Sequence, residues 1–218
     1  MNDIFPLLAF ETTDELCSAA LLLNQNEYSE INVSGKHVHS AKLVPSVEQL
    51  LLANKILVGE LKVIAVSEGP GSFTGLRIGM SAAKGIAVGA QVPVLLVPTF
   101  EAIAFKYCNI LPNDSIFCIV KKASRDEIYF AKYKVKDNNY FLVQPLSLIQ
   151  LGDLPKQTMN SDVVISNIIK DLAVYKTSVL SALDIGVWAY KFGKDLLTSD
   201  YDLLEPKYFK EFIVKEKL

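Results

Sequence analysis

The densest run of residues able to do chemistry is Ser67-Glu68-Gly69-Pro70-Gly71-Ser72-Phe73-Thr74-Gly75-Leu76-Arg77-Ile78-Gly79. Glycines packed this closely after an apolar run let backbone amides approach a ligand, and a helix N-terminus behind them favours an anion. Phosphate is the first ligand this chemistry suggests. The spacing meets neither specific template: Gly75 is followed by Leu76 and Arg77 rather than Lys and Ser or Thr, and the third residue after Gly71 is Thr74, not glycine. A tight turn with close helix packing accounts for the same glycines at least as well. Gly75, Gly79, Ala83 and Ala87 recur every fourth residue, with Gly85 and Gly89 as a second small pair. Such a stripe lets another helix approach. Gly79 and Gly85 each cost about 1 kcal/mol against alanine inside a helix, so a contact within the fold or with a partner must offset them.

Three further groups could carry chemistry. Glu11-Thr12-Thr13 sets a carboxylate beside two hydroxyls, a grouping that suits a nucleotide or hydrated magnesium and equally an ordinary polar turn. His37 and His39 would share a face of a strand, yet no carboxylate or cysteine partner stands beside them, and two polar residues at a helix entrance is the favoured reading. No metal is assigned. Lys121, Lys122, Arg125, Lys132, Lys134 and Lys136 could meet nucleic-acid phosphates, although alternating Lys132 and Lys134 fit the solvated face of a strand better. The glycine loop and the turn give a candidate nucleotide or anion contact set of Glu11, Thr12, Gly71, Ser72 and Thr74.

These residues are positioned by a regular order of elements. Phe5 to Phe10 and Cys17 to Leu23 are apolar runs joined by a polar turn, and Ile31 to Val33 adds a third strand, so the chain opens with a meander. Leu43, Val47, Leu50 and Leu51 give helical spacing from Ser40 to Ala53, with Pro45 near the helix start. A buried strand over 61–67, the glycine loop, a helix over Thr74–Gly89 and a strand over Val92–Val97 follow in the order of a βαβ crossover. Thr99–Cys108 reads as a helix, after which a turn-rich stretch marks a subdomain boundary. Beyond it Ile116–Val120, Ile128–Val135, Tyr140–Val143 and Val163–Ser166 read as strands, and Ser181–Gly193 as a helix with Ala182, Ile185, Ala189 and Phe192 on one stripe.

The run Gly69 to Gly79 resembles the signature of the TsaB (YeaZ) family, bacterial subunits of the machinery that makes N6-threonylcarbamoyladenosine in tRNA. His39-Ser40 with Leu43 and Pro45, Ala9-Phe10-Glu11-Thr12, and Leu204-Glu205-Pro206-Lys207-Tyr208 resemble that family's first helix, opening strand and C-terminal segment. The resemblance implies an α/β, actin-like (ASKHA, ribonuclease H-like) fold of two related subdomains. Here these are 1–108, carrying the partner-binding helices, and a smaller 109–218, with the option that the final segment packs back on the first. It also implies a non-catalytic subunit that pairs with the paralogue TsaD through helices Ser40–Ala53 and Thr74–Gly89 and is joined by the ATPase TsaE. ATP is then used by TsaE and metal by TsaD, tRNA is met through the complex, and the lone chain forms a homodimer through the same helices. The contact residues on those helices are expected to be Leu43, Val47, Leu50, Phe73, Leu76, Gly79, Met80 and Ala83. The sequence departs from the family at Glu11, where most members have Asp, and at Lys122-Ala123-Ser124, where they have Asp-Ala-Arg.

The 218 residues carry a net charge of −2 with 21% charged and half apolar, which supplies a core and excludes a surface built throughout for nucleic acid. Charge is uneven, about −5 over residues 1–60 and +4 over 121–136. Three cysteines without CxxC spacing argue against a disulfide framework or a cysteine zinc site. With no basic leader and no apolar run of about 18 residues, the chain is expected to be cytoplasmic, with no membrane contact. Two other classes compete with the scaffold: an autonomous ASKHA-type ATPase or kinase using Glu11 and the glycine loop, and a metallopeptidase.

Overall fold

A computed structural model describes residues 4–159, 162–166, 168, 174–176 and 180–209. Strands β1 (Leu7–Glu11), β2 (Leu16–Leu22) and β3 (Tyr28–Ser34) form the opening meander. Helix α1 (His39–Asn54), strand β4 (Val63–Gly69), helix α2 (Phe73–Ala90), strand β5 (Val94–Pro98) and helix α3 (Thr99–Cys108) follow. The first sheet has the order β3-β2-β1-β4-β5, with β1 antiparallel to β2 and parallel to β4. The second, β10-β9-β6-β7-β8, is built from β6 (Ile116–Lys122), β7 (Glu127–Lys136), β8 (Asn139–Gln150), β9 (Val163–Ser166) and β10 (Val174–Lys176). Helices α4 (Leu154–Gln157) and α5 (Ala182–Phe192) complete the described elements. The mixed α/β, actin-like fold class implied by the resemblance is the one found.

Every residue of β1 is buried because both faces of the sheet are covered. Leu8 and Phe10 point to one side, against Leu43, Val47 and Leu50 of α1 and Met80, Ala83 and Ala87 of α2. Leu7 and Ala9 point to the other, into a core shared with α3, α5 and the inner face of the second sheet at Phe117, Ile119 and Ala131. A β-carbon at Gly186 of α5 would lie 2.6 Å from Leu22 Cδ1, so a glycine is what lets α5 seat on the first sheet.

Three expectations need correction. β8 runs on to Gln150 instead of ending at Val143; Pro145 does not stop it because β8 is an edge strand and Pro145 falls in an irregularity of its ladder, between Gln144 opposite Lys132 and Ser147 opposite Phe130. Pro45 lies well inside α1, and the Ala41 carbonyl it leaves without an N–H is on an exposed residue, open to solvent. Lys132 is buried and not on a solvated face: its ammonium meets Asp162 Oδ2 at 2.8 Å beside the Cys118 thiol. No helix among the described residues is long and apolar enough to cross a membrane.

Candidate functional site

The turn after β1 and the loop before α2 form one joint. Thr12 Oγ1 donates to the Gly75 carbonyl at 2.8 Å, and the Ser72 amide donates to the Thr13 carbonyl at 2.8 Å. Ser72 caps α2 by accepting from the Gly75 amide at 3.2 Å. A β-carbon at Gly71 would run into Thr13, one at Gly75 into the Thr12 carbonyl oxygen, and one at Gly79 into Thr12 Oγ1. The signature glycines thus exist so that α2 can lie directly on the first hairpin. The tight turn with close helix packing is present in the fold.

Glu11 is fully buried at the end of β1. Its carboxylate accepts from the Thr13 amide at 2.5 Å and from the Ser67 hydroxyl. Burial pushes its pKa above the ordinary value, opposed by Lys121 and by these hydrogen bonds. Of the five residues expected to touch a nucleotide or anion, Glu11 and Thr12 are buried within the joint and do not line the cleft. Gly71, Ser72 and Thr74 stay on the wall of an open cleft of about 870 Å³, together with Lys36, Lys121 and Lys122. Lys121, itself mostly buried, reaches across from the second sheet to Asp14 Oδ2 at 3.5 Å and Thr13 Oγ1 at 3.4 Å.

The C-terminal segment closes the other side of the loop. The Lys207 amide donates to the Glu68 carbonyl at 2.8 Å, and Leu204 is buried against α1 and α2. Tyr208 lies 5.1 Å from Phe73, centroid to centroid, and accepts from Arg77 Nε at 3.0 Å, with the Arg77 guanidinium 4.0 Å over the Phe73 ring. Lys36, Lys207 and Tyr208 were not picked out as candidate site residues, because nothing local in the sequence links them to the glycine loop.

The expected interface set lies mostly within the subunit. Leu43, Val47, Leu50, Leu76, Gly79, Met80 and Ala83 all face inward and are buried; among the eight only Phe73 is partly exposed. A helix stripe that packs on its own sheet has the same period as one that packs on a partner, and here the sheet takes it. The outward surfaces of the same region carry other residues: Val44 and Leu52 on α1, Leu57 and Val58 just after it, and Val88 on α2, with Leu52 81% and Leu57 73% exposed. Gly85 and Gly89 open onto free space. His39 Nε2 lies 3.3 Å from the Leu16 carbonyl, and among the described residues no group of three or more His, Cys, Asp or Glu is placed to hold a metal.

Residues 31–186 match the family model described as TsaD, tRNA N6-adenosine threonylcarbamoyltransferase. The TsaB protein of Haemophilus influenzae, named for tRNA threonylcarbamoyladenosine biosynthesis, is 31% identical over 126 residues, 58% of this chain and 52% of its own. The TsaB protein of Bacillus subtilis is 27% identical over 177 residues, 81% of this chain and 76% of its own. The chain belongs to the TsaB/YeaZ group of this family. The match spans about half the length of the Haemophilus influenzae relative. YeaZ from Pseudomonas aeruginosa shares the fold, with a TM-score of 0.75 at 22% identity over 93% of this chain and 98% of that one. The TsaB/YeaZ signature loop is, in this member, a joint.

Proposed function

We propose that the chain serves the formation of N6-threonylcarbamoyladenosine in tRNA, next to the anticodon, as a non-catalytic scaffold that pairs with a TsaD paralogue and recruits the ATPase TsaE. On this reading the metal chemistry belongs to TsaD, the ATP chemistry to TsaE, and all three meet in the cytoplasm. The observation that carries it is the outward surface around α1 and α2, where Val44 and Leu52 on α1, Leu57 and Val58 just after it, and Val88 on α2 are exposed while the inward faces of the two helices are anchored on the first sheet. Apolar side chains gathered on a surface favour association. The Glu11 carboxylate and two of the loop amides that an autonomous ATPase would use, those of Ser72 and Gly75, are already bonded within the joint.

Light scattering of the chain alone, with TsaD, and with TsaD, TsaE and ATP tests this reading. A stable complex with TsaD is expected, and a homodimer when TsaD is absent. Val88→Arg and Leu52→Glu are expected to weaken pairing by roughly thirtyfold, the effect of removing an interface anchor, with the thermal melt unchanged. No complex, or pairing indifferent to both variants, refutes the reading.

A further inference from the structure

The cleft of about 870 Å³ adjoins a second hollow of about 180 Å³. The two share Gly71, Ser72, Lys122 and Ala123 as wall, so they lie side by side past the N-terminus of α2, and together are treated as one groove. Lysines are spread along it: Lys36 and Lys121 in the larger part, Lys122 in both, Lys207 in the smaller. Against them stand Asp14 and Glu15, so the groove is net positive in a chain whose net charge is −2. Lys121 is 3.5 Å from Asp14 and Lys207 is 3.9 Å from Glu68, while Lys36 and Lys122 have no carboxylate at ion-pair distance among the described residues. Phe73, Tyr129 and Tyr208 wall the smaller hollow, and Tyr208 is 41% exposed.

Spaced cations with aromatic faces beside them fit a polyanion whose flat bases are free to stack, which is an unpaired nucleic-acid strand. A paired duplex keeps its bases stacked on one another and cannot use the aromatic wall. A single nucleoside polyphosphate is best held by amides concentrated at one point, and two of those here are already taken, the Ser72 amide by Thr13 and the Gly75 amide by the Ser72 hydroxyl. We infer that this groove holds an unpaired stretch of RNA, with successive phosphates at Lys36, Lys122 and Lys207 and a base against Tyr208. The inference rests on the proposed part in tRNA modification, which makes the strand RNA.

The test is fluorescence anisotropy of the full chain with a labelled oligouridylate of about ten nucleotides, competed by unlabelled ATP and by duplex RNA. Three phosphate contacts on a single strand give a slope of log affinity against log salt of about −2. Lys122→Glu and Lys36→Glu, both at exposed positions, are expected to flatten that slope by about 0.7 each. Tyr208→Leu is expected to weaken binding about tenfold with the slope intact. Absence of binding, binding that both charge reversals leave unchanged, or displacement by ATP or duplex as readily as by the unlabelled strand each overturns the inference. Val88→Arg is expected to leave oligouridylate binding intact, so a failure of the groove and a failure of partner pairing are read separately.

Discussion

Two glycines of α2 that look alike in sequence should behave oppositely when changed to alanine. Both lie in the helix interior, where the exchange gains about 1 kcal/mol of helix propensity. At Gly85 nothing lies within 4 Å of an added β-carbon, so that gain is kept and the melting temperature should rise by roughly 2–4 °C. At Gly79 the β-carbon meets Thr12 Oγ1 and comes within 3.4 Å of Val66 Cγ2. Thr12 must move, which overpacks the core by about 1–3 kcal/mol. The move also breaks the buried hydrogen bond from Thr12 to Gly75, for about 1–3 kcal/mol more. After the propensity gain, Gly79→Ala should be less stable than the parent by about 1–5 kcal/mol. Urea unfolding followed by circular dichroism measures both, with the midpoint shifting and the slope unchanged. Equal stability of the two variants would refute the placement of Gly79 against the hairpin. For the same reason Gly79→Arg should unfold the subunit, not merely abolish pairing, whereas Gly85→Arg should block pairing in a folded chain.

The buried pair of Lys132 and Asp162 gives a second expectation: Lys132→Met strands a carboxylate that is only 2% exposed and should cost about 3–5 kcal/mol in urea unfolding. A loss below about 1 kcal/mol, the level of a surface pair, speaks against burial of that site. Glu11 gives a pH dependence. Its folded pKa lies above the ordinary carboxylate value because burial disfavours the charge, so as pH rises past that value the unfolded state ionises first and stability falls until the folded group ionises too. Glu11→Gln removes this decline, and its urea midpoint relative to the parent should be higher at about pH 7 than at about pH 5; a difference that does not vary with pH counts against it.

Most elements were legible because their signals are local. The opening meander, the crossover around the glycine loop and the stripe of α5 follow from runs and periods that need no knowledge of what lies opposite. β10 was missed because Val174–Lys176 is three residues long and pairs in parallel with β9, with no turn signal beside it. The solvated reading of Lys132 failed because the residue that neutralises it, Asp162, is distant in sequence. Of the candidate site, the loop itself was legible and its partners were not. Lys36 comes from the stretch between β3 and α1, Lys122 from the end of β6, and Lys207 and Tyr208 from the C-terminal segment; only the folded chain brings them to one groove.

Seven of the eight expected interface residues are buried within the subunit, for a reason that lies in what a helical period can report. A period of three to four marks a face that is covered, and it is silent on whether the cover is the chain's own sheet or another protein. Leu43, Val47, Met80 and Ala83 satisfy the period because they must seat two helices on the first sheet. Glycine separates the cases. At Gly75 and Gly79 the lost helix propensity is offset inside the subunit, by hydrogen bonds and contacts to Thr12 that no larger residue permits. At Gly85 and Gly89 nothing in the subunit offsets it, and Val88 between them is 49% exposed. Gly85, in the helix interior, gives up about 1 kcal/mol that no contact within the described residues offsets. On the proposed pairing, close approach of a second chain along that face would offset it, and the Gly85→Arg variant tests whether the outward glycines, rather than the conspicuous stripe, meet the partner.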